Sequence, residues 1–575
     1  MPSNEEISRA LETIVTLMEI RGDEHYRVLA YQRAAESVAA AGSPVSSLDD
    51  PKELPHVGDT TAEVIRNLVA DEMPEVLDEL MAEVPKGLVE VTRLPGVGPR
   101  TAGRLWKELD ATSVEEVANL EASQISSLKG FGKKSAEKIV ASAEKYNSEE
   151  RRMLLHTATA LGDRLLDFVR NHPATEKADL AGSLRRGKET IGDLDIVAAS
   201  SDAKSLAADF AEAEFVTEVV AHGETKVSVV VVGSDGGVDV DLRIVAPDAY
   251  GSLLHHFTGS QAHNIVLRER AVKMDINISE YGLAKADEPE RNYIPAETEN
   301  EIYEKLGLAY IPPELREDSG ELEAAEKGEL PDLVEVRDIR GDLHVHTNYS
   351  DGKGTIESMA EAAIELGYEY LVFCDHSQSL RVANGLSPKK LVEKNEAVRK
   401  ADEKYGGIRL LCGSEVDILK DGALDYEDSL LADLDFVVAS IHTSFQIGEK
   451  AMTDRMLRAI NHPHVRTIAH PTGRVLNRRE PYEVDVSRLI KEAAATNTAL
   501  ELNSYPDRLD LSVPYVREAI KAGVKITIDT DAHDESALSF MKFGVTQAQR
   551  AWAGKGSVIN CLPREEFEEY LKSGK

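Results

Sequence analysis

The sequence has few cysteines, few aromatic side chains and no long hydrophobic run. Among its 575 residues only 5% are aromatic, and the cysteines are Cys374, Cys412 and Cys561. Three scattered cysteines are too few for a disulfide framework or a Cys-x-x-Cys zinc site. No apolar run approaches membrane-spanning length, and the acidic, amphipathic N-terminus lacks the basic region and apolar core of a signal peptide. We therefore expect a cytoplasmic protein.

Positive charge is also scarce, because 66 Lys and Arg face 102 Asp and Glu, which gives a net charge of −36. Taken alone, this balance argues against a nucleic-acid partner. A chain of 575 residues is too long for a single hydrophobic core. When several domains have different functions, the net charge of the whole chain does not indicate the partner of any one domain. We expect several domains and interpret the acidic balance as a feature of solubility.

The order of patterns along the chain predicts this multidomain organisation. Helical periodicity dominates residues 1–145, strands follow over 178–245, and helices and turns continue to about residue 316. Beyond residue 338, helical stretches separate most of seven short apolar runs: LHVH, YLVF, IRLL, FVVAS, VRTIA, TALEL and KITID. Each run ends in polar or charged residues. Parallel strands that deliver functional groups from their carboxyl ends are typical of a β/α barrel.

Three copies of a glycine turn, each leading into a helix start, lie near the N-terminus: LPHVGDTTAEVI (54–65), LPGVGPRTAGRL (94–105) and LKGFGKKSAEKI (128–139). Glycine lets the backbone approach a phosphate, and amide groups at the helix start then face it. Such contacts hold DNA without reading its sequence. One copy alone would also fit a simple turn between packed helices. Three copies favour DNA contacts at Gly58, Gly96, Gly98, Gly130 and Gly132, with a weaker first copy because His56 replaces its first glycine.

A set of carboxylates follows a Gly-Ser turn in AGSLRRGKETIGDLDIV (181–197). Asp193 and Asp195 are two residues apart on a predicted strand, so their carboxylates face the same side of a sheet. The strand VDVDLRIV offers a third carboxylate. Such a set can hold two Mg²⁺ ions that activate a 3′-hydroxyl and stabilise a leaving pyrophosphate. Ser183 and Arg186 can then hold the phosphates of an incoming nucleotide.

The motifs GSLRRG, GDLD, VDVDLR and HHFTGSQAHNIVLRERA (255–271) resemble, in this order, the palm and thumb of family-X DNA polymerases. The three glycine turns resemble helix-hairpin-helix motifs. The resemblance covers about residues 1–316. It implies that Asp193, Asp195 and Asp241 hold Mg²⁺ or Mn²⁺, with Asp241 as the base toward the primer 3′-hydroxyl. It also implies triphosphate contacts by Ser183, Arg186 and Gly192, sugar and base contacts by Phe257, Gly259 and Asn264, and a template contact by Arg268.

Two positions depart from this family pattern. His256 stands where animal members usually have Tyr, which bears on sugar selection. Val64 falls where lyase-active members place their Schiff-base lysine, and neither Val64 nor Thr60 supplies the amine that β-elimination needs. We therefore expect no deoxyribose-phosphate lyase activity at that position.

Metal-ligand side chains follow six of the seven apolar runs in the last part of the chain. In GDLHVHTNYSDG two imidazoles two residues apart on a strand face the same way, and a carboxylate follows. The nine candidates are His344, His346, Asp351, His376, Glu415, His442, His470, Asp531 and His533. Such mixed ligands can hold three ions and suit Zn²⁺ or Mn²⁺. We interpret His462 and His464 as ordinary loop residues, and we expect no ligand from TALELNS.

The motifs HVH, DH, GSE, SIHTS, AHP and DTDAH resemble those of PHP (polymerase and histidinol phosphatase) domains over residues 338–570. This resemblance implies a manganese-dependent 3′–5′ exonuclease that also cuts at abasic sites and cleans 3′ ends. The preferred interpretation is a gap-filling DNA-repair polymerase with a PHP nuclease, acting as a monomer on gapped or primer-template DNA with dNTPs. Two alternatives stay open: a small-molecule phosphatase of the PHP type, and a non-enzymatic DNA-end scaffold whose sites have decayed.

The predicted fold is multidomain: a helical helix-hairpin-helix region, an α+β nucleotidyltransferase palm with a thumb, and a distorted (β/α)7 barrel. The predicted boundaries are 1–80 for an N-terminal helical domain with the first hairpin, 81–148 for a fingers-like domain with two hairpins, 149–245 for the palm, 246–316 for the thumb, 317–337 for a linker and 338–575 for the PHP barrel.

Overall fold

The computed structural model describes residues 4–573 except 40, 42–44, 49, 71–72, 93, 95, 149–151, 234–235 and 286–291. The chain forms two compact units, residues 1–151 and 152–575. This division lies close to the boundary predicted at 148, whereas the other predicted boundaries lie within a unit and stay predictions. Among the described helices, none is both long enough and apolar enough to span a bilayer.

The first unit is helical, as its periodicity predicts. Its helices are α1 Asn4–Arg21, α2 His25–Ala39, α3 Asp59–Val69, α4 Glu75–Glu83, α5 Gly87–Val91, α6 Pro99–Leu109, α7 Val114–Ala118, α8 Ala122–Ser127 and α9 Lys133–Ser148. Their apolar sides meet in one core, in which Ile14, Met18, Leu80 and Leu105 are fully buried. This packing leaves the glycines directly before α3, α6 and α9 exposed, while Val57 and Val97 of the same turns lie in the core.

The second unit begins with a five-stranded sheet in the order β2-β4-β7-β6-β5. Its elements are β1 Met153–Leu154, α10 Leu155–Arg170, β2 Thr175–Leu180, α11 Gly182–Arg185, β3 Thr190–Ile191, β4 Leu194–Ser200, α12 Ala203–Ala211, β5 Val216–His222, β6 Lys226–Gly233 and β7 Gly236–Val245. Strands β4 and β7 run parallel, and their register pairs Asp195 with Asp241. The other strand pairs of this sheet are antiparallel. This is the predicted α+β palm.

A smaller helical layer follows the palm. It contains α13 Tyr250–Thr258, α14 Gln261–Lys273, β8 Ile276–Ser279, β9 Gly282–Lys285, α15 Glu299–Lys305 and α16 Glu321–Lys327. Helix α16 lies in the segment 317–337, for which the charged composition predicts a linker. Its Leu322 and Ala325 pack in the same core as Ile302 of α15, and Glu321 is fully buried. This segment is therefore packed against the thumb helices. Its apolar residues contact residues that are distant in sequence, which its local composition does not indicate.

The rest of the chain is a parallel barrel, as predicted. Its strands are β10 Gly341–Val345, β11 Tyr370–Phe373, β12 Arg409–Asp417, β13 Phe436–Ser440, β14 Val465–Ile468, β15 Ala499–Asn503 and β16 Ile526–Asp529. They pair in sequence order, and a bridge between Val345 and Ala532 joins the first strand to the segment after the last. The seven apolar runs of the sequence coincide with these strands. All residues of β10, β11, β13, β15 and β16 are buried because both faces of the sheet are covered.

Helices accompany the barrel strands. They are α17 Ile356–Glu365, α18 Pro388–Lys404, α19 Asp428–Leu431, α20 Glu449–Ile460, α21 Val486–Thr496, α22 Val513–Lys521, α23 Met541–Arg550 and α24 Arg564–Lys572. The strand and helix order confirms the predicted (β/α)7 barrel.

A buried ion-pair network joins the palm to the thumb. Glu299 of α15 accepts hydrogen bonds from Arg185 at 2.9 and 2.7 Å and from Arg316 at 2.6 Å. The side chain of Arg316 is 0% exposed and lies over the rings of Tyr303 and Tyr310. Burial alone would raise the pKa of Glu299, but the hydrogen bonds and charges of the two arginines lower it to about 2. The carboxylate therefore stays charged and holds both cations.

We expect Glu299→Ala to destabilise the second unit, because it leaves two largely buried arginines without a counter-charge. The expected fall in the free energy of unfolding is about 3–5 kcal/mol. Urea denaturation followed by circular dichroism measures it. Glu304→Ala, which is exposed on the same helix, is the control and should change stability by less than about 0.5 kcal/mol. Equal losses for the two variants would contradict this account.

Candidate metal centres and nucleic-acid interface

Metal-ligand side chains gather at the carboxyl ends of the barrel strands. His344 lies near the end of β10, Glu415 lies in β12 and His442 follows β13. Because the strands are parallel and neighbours in sequence order, their ends meet at one rim. The rim brings together all nine predicted ligands: His344, His346, Asp351, His376, Glu415, His442, His470, Asp531 and His533.

Within this set, three groups have ligand atoms that lie within 4.8 Å of one another. The groups are His346 with Asp351, His376 and His533; His344 with His346 and Asp531; and His376 with Glu415 and His442. The ninth residue, His470, places its Nε2 atom 2.9 Å from Glu415 Oε1. Shared members link the groups, so the described residues offer three adjoining places where a divalent cation could bind.

Several buried atoms of this set have no hydrogen-bond partner. They are His346 Nδ1, His376 Nδ1, His470 Nδ1 and Glu415 Oε2. His376 Nδ1 and Glu415 Oε2 lie 2.8 Å apart, yet their geometry is not that of a hydrogen bond. Buried polar atoms without partners are costly, and a shared cation would remove that cost. The imidazole and carboxylate donors therefore fit a divalent ion such as Zn²⁺ or Mn²⁺.

Glu501 supports the ligand set from β15, a strand for which the sequence predicts no ligand. Its Oε1 lies 2.7 Å from His344 Nδ1, and its Oε2 accepts a hydrogen bond from the His470 amide at 2.6 Å. Burial raises the pKa of Glu501 to about 7, although His344 opposes the shift. A carboxylate in this position fixes the orientation of a ligating imidazole. A glutamate inside an otherwise apolar strand was the available signal.

Two more charged residues that the sequence analysis missed lie beside the ligands. Asp417 Oδ1 lies 3.0 Å from His442 Nδ1, and Arg508 Nε lies 3.7 Å from Asp531 Oδ2. Asp417 follows Glu415 by two residues on the same strand, so alternation could have indicated it. Arg508 lies in the loop after β15, and no local pattern points to it. Its guanidinium adds a positive charge beside the ligand set, where an anionic substrate would benefit from it.

The three palm carboxylates lie at neighbouring strand positions. Asp193 directly precedes β4, Asp195 is in β4, and the parallel register pairs Asp195 with Asp241 of β7. Burial, followed by the charges of Asp193 and Asp241, raises the pKa of Asp195 to about 7. A divalent cation bound to oxygen ligands would relieve this crowding of negative charge. The residues therefore fit a Mg²⁺ or Mn²⁺ site.

Asp241 also contacts groups outside the triad. Its Oδ1 accepts a hydrogen bond from Ser228, and its Oδ2 lies 3.4 Å from Lys226 Nζ and 3.5 Å from Arg243 Nη2. Among the described residues, the triad is not one of the groups whose ligand atoms lie within 4.8 Å of one another. The backbone register thus sets Asp195 and Asp241 side by side, while cations and a hydroxyl contact the carboxylate of Asp241.

A turn containing glycine and arginine faces Asp195. Gly182 has φ +60°, and a Cβ atom there would lie 2.2 Å from Asp195 Oδ2, so only glycine fits. Ser183 Oγ is buried and has no hydrogen-bond partner. Arg186 donates hydrogen bonds to the Thr258 carbonyl and, at 3.1 Å, to Glu317. Gly192 lies in the bend between β3 and β4. The buried Ser183 hydroxyl and the Arg186 cation would suit an anionic oxygen.

The remaining predicted nucleotide contacts lie on α13 and α14. Phe257 packs under the Arg243 guanidinium, 4.7 Å from ring centre to carbon, and Gly259 ends α13 with φ +68°. Asn264 Nδ2 donates to the His256 carbonyl at 2.9 Å, whereas its buried Oδ1 has no partner. Arg268 Nε donates to the Asn264 carbonyl at 3.0 Å. These predicted contacts thus lie on two successive helices or at the junction between them. Their roles stay predictions.

The glycines of the three turns in the first unit are exposed to solvent. Gly58, Gly98 and Gly132 directly precede α3, α6 and α9. At the preceding turn position Gly96 and Gly130 have φ +85° and +97°, and His56 of the first copy also has a positive φ, +60°. A Cβ atom added at any of the five glycines would meet nothing within 4 Å. Internal packing therefore does not demand glycine at these positions, and the turns are free to approach a phosphate.

The lyase position lies in the same unit. Val64 is buried in α3, 6% exposed. A buried aliphatic side chain can neither form a Schiff base nor reach a solvent-exposed sugar. The absence of lyase activity at this position stays a prediction.

Models of known protein families match four parts of the chain. A helix-hairpin-helix domain matches residues 2–74, a SAM-like helix-hairpin-helix tandem matches 88–145, a DNA polymerase beta thumb matches 253–317 and a PHP domain matches 342–504. The first two contain the three glycine turns. The PHP match contains the barrel ligands from His344 to His470, and the thumb match contains Phe257 and Arg268.

Curated relatives match longer stretches. The chain is 39% identical over 570 residues to the DNA polymerase/3′-5′ exonuclease PolX of Bacillus subtilis (strain 168), covering 99% of each chain. It is 25% identical over 342 residues to DNA polymerase lambda of Rattus norvegicus, covering 55% of this chain and 56% of that protein. A probable phosphatase of Acetivibrio thermocellus is 27% identical over 250 residues, covering 41% of this chain and 95% of that protein. The first likeness extends across both units.

We expect Glu501→Ala to weaken metal binding at the barrel, because His344 loses the carboxylate that orients it. The affinity of the full chain for Mn²⁺ should fall about 10- to 100-fold. Isothermal titration of Mn²⁺ into chelator-stripped protein measures it, and Glu480→Ala, an exposed glutamate of the barrel, should leave the affinity unchanged. A Glu501→Ala protein that binds Mn²⁺ like the wild type would refute the supporting role.

Proposed function

Since this chain belongs to the bacterial and archaeal family-X DNA polymerases that carry a C-terminal PHP domain, we propose that it fills short gaps in DNA during repair and shortens or cleans the 3′ ends that it extends. One observation carries the proposal. A single compact unit holds two separate sets of candidate ligands, the palm aspartates on adjacent strands and the nine side chains at the barrel rim. Extension and trimming of one DNA end would thus occur within the same chain.

At the palm, Asp193, Asp195 and Asp241 would hold Mg²⁺ or Mn²⁺. A bound ion would make the primer 3′-hydroxyl more acidic and would offset the charge of the leaving pyrophosphate. Asp241 would accept the proton of that hydroxyl. Ser228 donates its hydrogen bond to Oδ1 of this carboxylate, which leaves Oδ2 as the oxygen that would take the proton. Burial, together with the charges of Asp193 and Asp241, raises the pKa of Asp195 to about 7, and this cost to the charged form supports cation binding here.

The incoming nucleotide would lie along the turn that faces these aspartates and along the thumb helices. Buried atoms without partners, Ser183 Oγ and Asn264 Oδ1, support this assignment because a bound nucleotide would supply the missing hydrogen bonds. The proposed triphosphate contacts are Ser183, Arg186 and Gly192, the sugar and base contacts are Phe257, Gly259 and Asn264, and the template contact is Arg268. The glycine turns before α3, α6 and α9 would hold the DNA backbone.

At the barrel, the nine rim residues would hold about three Zn²⁺ or Mn²⁺ ions, which activate water for attack on a phosphodiester. Glu501 and Asp417 would keep His344 and His442 in the ligating orientation. Arg508, beside Asp531, would bind the phosphate of the terminal nucleotide. We propose a 3′–5′ exonuclease that also cleaves at abasic sites.

The likeness of 41% of this chain to a probable phosphatase favours a second candidate function, hydrolysis of a phosphomonoester. Open glycine turns count against a small free substrate, because they suit a polymer backbone. A phosphate at a 3′ end of DNA would satisfy both observations. Release of inorganic phosphate from 3′-phosphorylated DNA, compared with a free phosphomonoester, separates the two candidates.

We also propose a cytoplasmic protein that acts as a monomer. Each proposed site draws its residues from one unit of a single chain, so no second copy is needed to complete it. Analytical ultracentrifugation with and without gapped DNA tests the oligomeric state. A stable dimer would contradict it.

Separate loss of the two activities tests the proposed function. On a gapped duplex, Asp193→Ala should lower primer extension more than about 100-fold and leave 3′ degradation intact, because it removes a ligand at the palm alone. His344→Ala combined with His346→Ala should do the reverse. Denaturing gels of a labelled primer, with and without dNTPs, measure both.

The matched controls are Asp209→Ala in the palm and His462→Ala in the barrel, each of which makes a side-chain contact outside the two ligand sets, with His172 and Asp428 respectively. Both activities should persist in both controls. If the Asp193 and His344/His346 variants kept both activities, the site assignments would be wrong.

The glycine turns yield a separate prediction about DNA affinity. Because a Cβ atom at Gly98 meets nothing within 4 Å, Gly98→Val should fold normally. It should nevertheless lower the affinity for gapped DNA about 10-fold, since the branched side chain keeps a phosphate away from the start of α6. Fluorescence anisotropy and the melting temperature measure the two effects, with the exposed Ala39→Val as control. Unchanged affinity would argue against this turn as a DNA contact.

A further inference from the structure

The turn proposed to bind the triphosphate lies against the barrel. Helix α23 of the barrel packs on its backbone: Gln547 Nε2 donates to the Gly187 carbonyl at 2.8 Å, and Arg550 Nη1 donates to the Arg186 carbonyl at 2.6 Å. Both acceptors are main-chain atoms of adjacent residues. The helix therefore holds the backbone that carries Arg186, which is proposed to contact the nucleotide.

Close packing reinforces these hydrogen bonds. Gly187 has φ +65°, and a Cβ atom there would lie 2.2 Å from Thr546 Cγ2 of α23. No side chain other than hydrogen fits between the turn and the helix without displacing one of them. The contact leaves the turn little freedom to move away from the barrel.

A second anchor lies at the end of the same turn. Glu189 accepts hydrogen bonds from Arg474 at 2.7 and 3.1 Å, and Arg474 also donates to the carbonyls of Arg508 and Leu509. Paired hydrogen bonds between guanidinium and carboxylate fix orientation as well as distance. Leu509 itself belongs to the hydrophobic core of the palm. The turn is thus held to the barrel at both ends.

The charges at this contact favour an anion. Glu317 lies 3.1 Å from both Arg186 and Arg550 and 3.2 Å from Lys188. The charge of Glu189, which pairs with Arg474, also acts on Arg550, so four cations face two carboxylates. The Arg550 side chain is only 7% exposed, and burial lowers its pKa despite the opposing charge of Glu317. An excess of positive charge in a desolvated place is unfavourable unless an anion offsets it. A nucleotide triphosphate beside Arg186 would offset it.

We propose that α23 of the PHP barrel is a positioning element of the nucleotide site, with Arg550 and Gln547 as its positioning residues. The inference rests on the proposed polymerase function and extends it, because it makes the nuclease barrel a structural part of the polymerase site. Arg550 acts through Arg186 and lies outside the set of barrel ligands. Its loss therefore affects nucleotide binding and spares 3′ degradation.

Steady-state gap filling by the full chain tests this inference. Arg550→Ala should raise KM for dNTP about 10- to 100-fold, with a much smaller change in kcat, because Arg186 is displaced before the chemical step. Degradation of the same labelled 3′ end should stay at the wild-type rate. Arg550→Lys keeps the charge and one donor, so it should restore part of the affinity. Lys542→Ala, exposed on the same helix, is the matched control.

The possible results distinguish failure of the positioning role from failure of the proposed polymerase function. Wild-type extension with an unchanged KM in Arg550→Ala, or a fall in kcat alone, overturns the positioning role and leaves the polymerase proposal standing. A wild-type protein that does not extend primers overturns both. If Arg550→Ala lowers the melting temperature, Gln547→Met decides, because it removes the donor to Gly187 with a side chain of similar size. A raised KM then supports the inference, and an unchanged KM overturns it.

Discussion

Glu415 and the imidazoles around it are the interaction on which the barrel rim depends. The carboxylate is 1% exposed and lies 2.8 Å from His376, 3.3 Å from His442 and 2.9 Å from His470. Burial by itself raises the pKa of a carboxyl group, but the facing imidazoles hold the pKa of Glu415 well below its usual value. Neither partner could be buried alone at reasonable cost. The parallel barrel makes the grouping possible because it delivers consecutive strand ends to one place.

In the palm, carboxylates lie beside other carboxylates, whereas in the barrel Glu415 lies beside imidazoles. The three palm aspartates repel one another, and Lys226 and Arg243 beside Asp241 offset only part of that repulsion, because the pKa of Asp195 stays raised. The fold nevertheless sets two of them on paired strand positions and leaves space at Gly182 for Asp195. Both centres therefore concentrate polar or negatively charged groups that a bound divalent cation would stabilise. The barrel does so with nitrogen and oxygen donors, and the palm does so with oxygen alone.

Palm, thumb and barrel share contacts that a string of independent domains would not have. Leu509 and Phe543 of the barrel lie in the hydrophobic core of the palm, and Glu317, just before α16, joins Arg186 of the palm to Arg550 of the barrel. An enzyme that alternates between extending and trimming one DNA end gains from this arrangement, because both sites lie in one compact unit. The packed segment 317–337 belongs to the same structure.

Local patterns in the sequence predicted the seven barrel strands and the nine residues that the structure brings to one rim. They also located the three glycine turns and the palm aspartates, whose roles stay predictions. Each of these depends on residue types at short spacing, and period-two alternation decides which side chains share a face. The tertiary structure alone decided the partners of those residues. Glu501 meets His344 across 157 positions of sequence, α16 packs where its composition predicts a linker, and Arg550 meets Arg186 across 364 positions. Such contacts depend on which distant elements become neighbours when the barrel closes and the palm packs on it. The spacing of residues within one segment does not determine these neighbours.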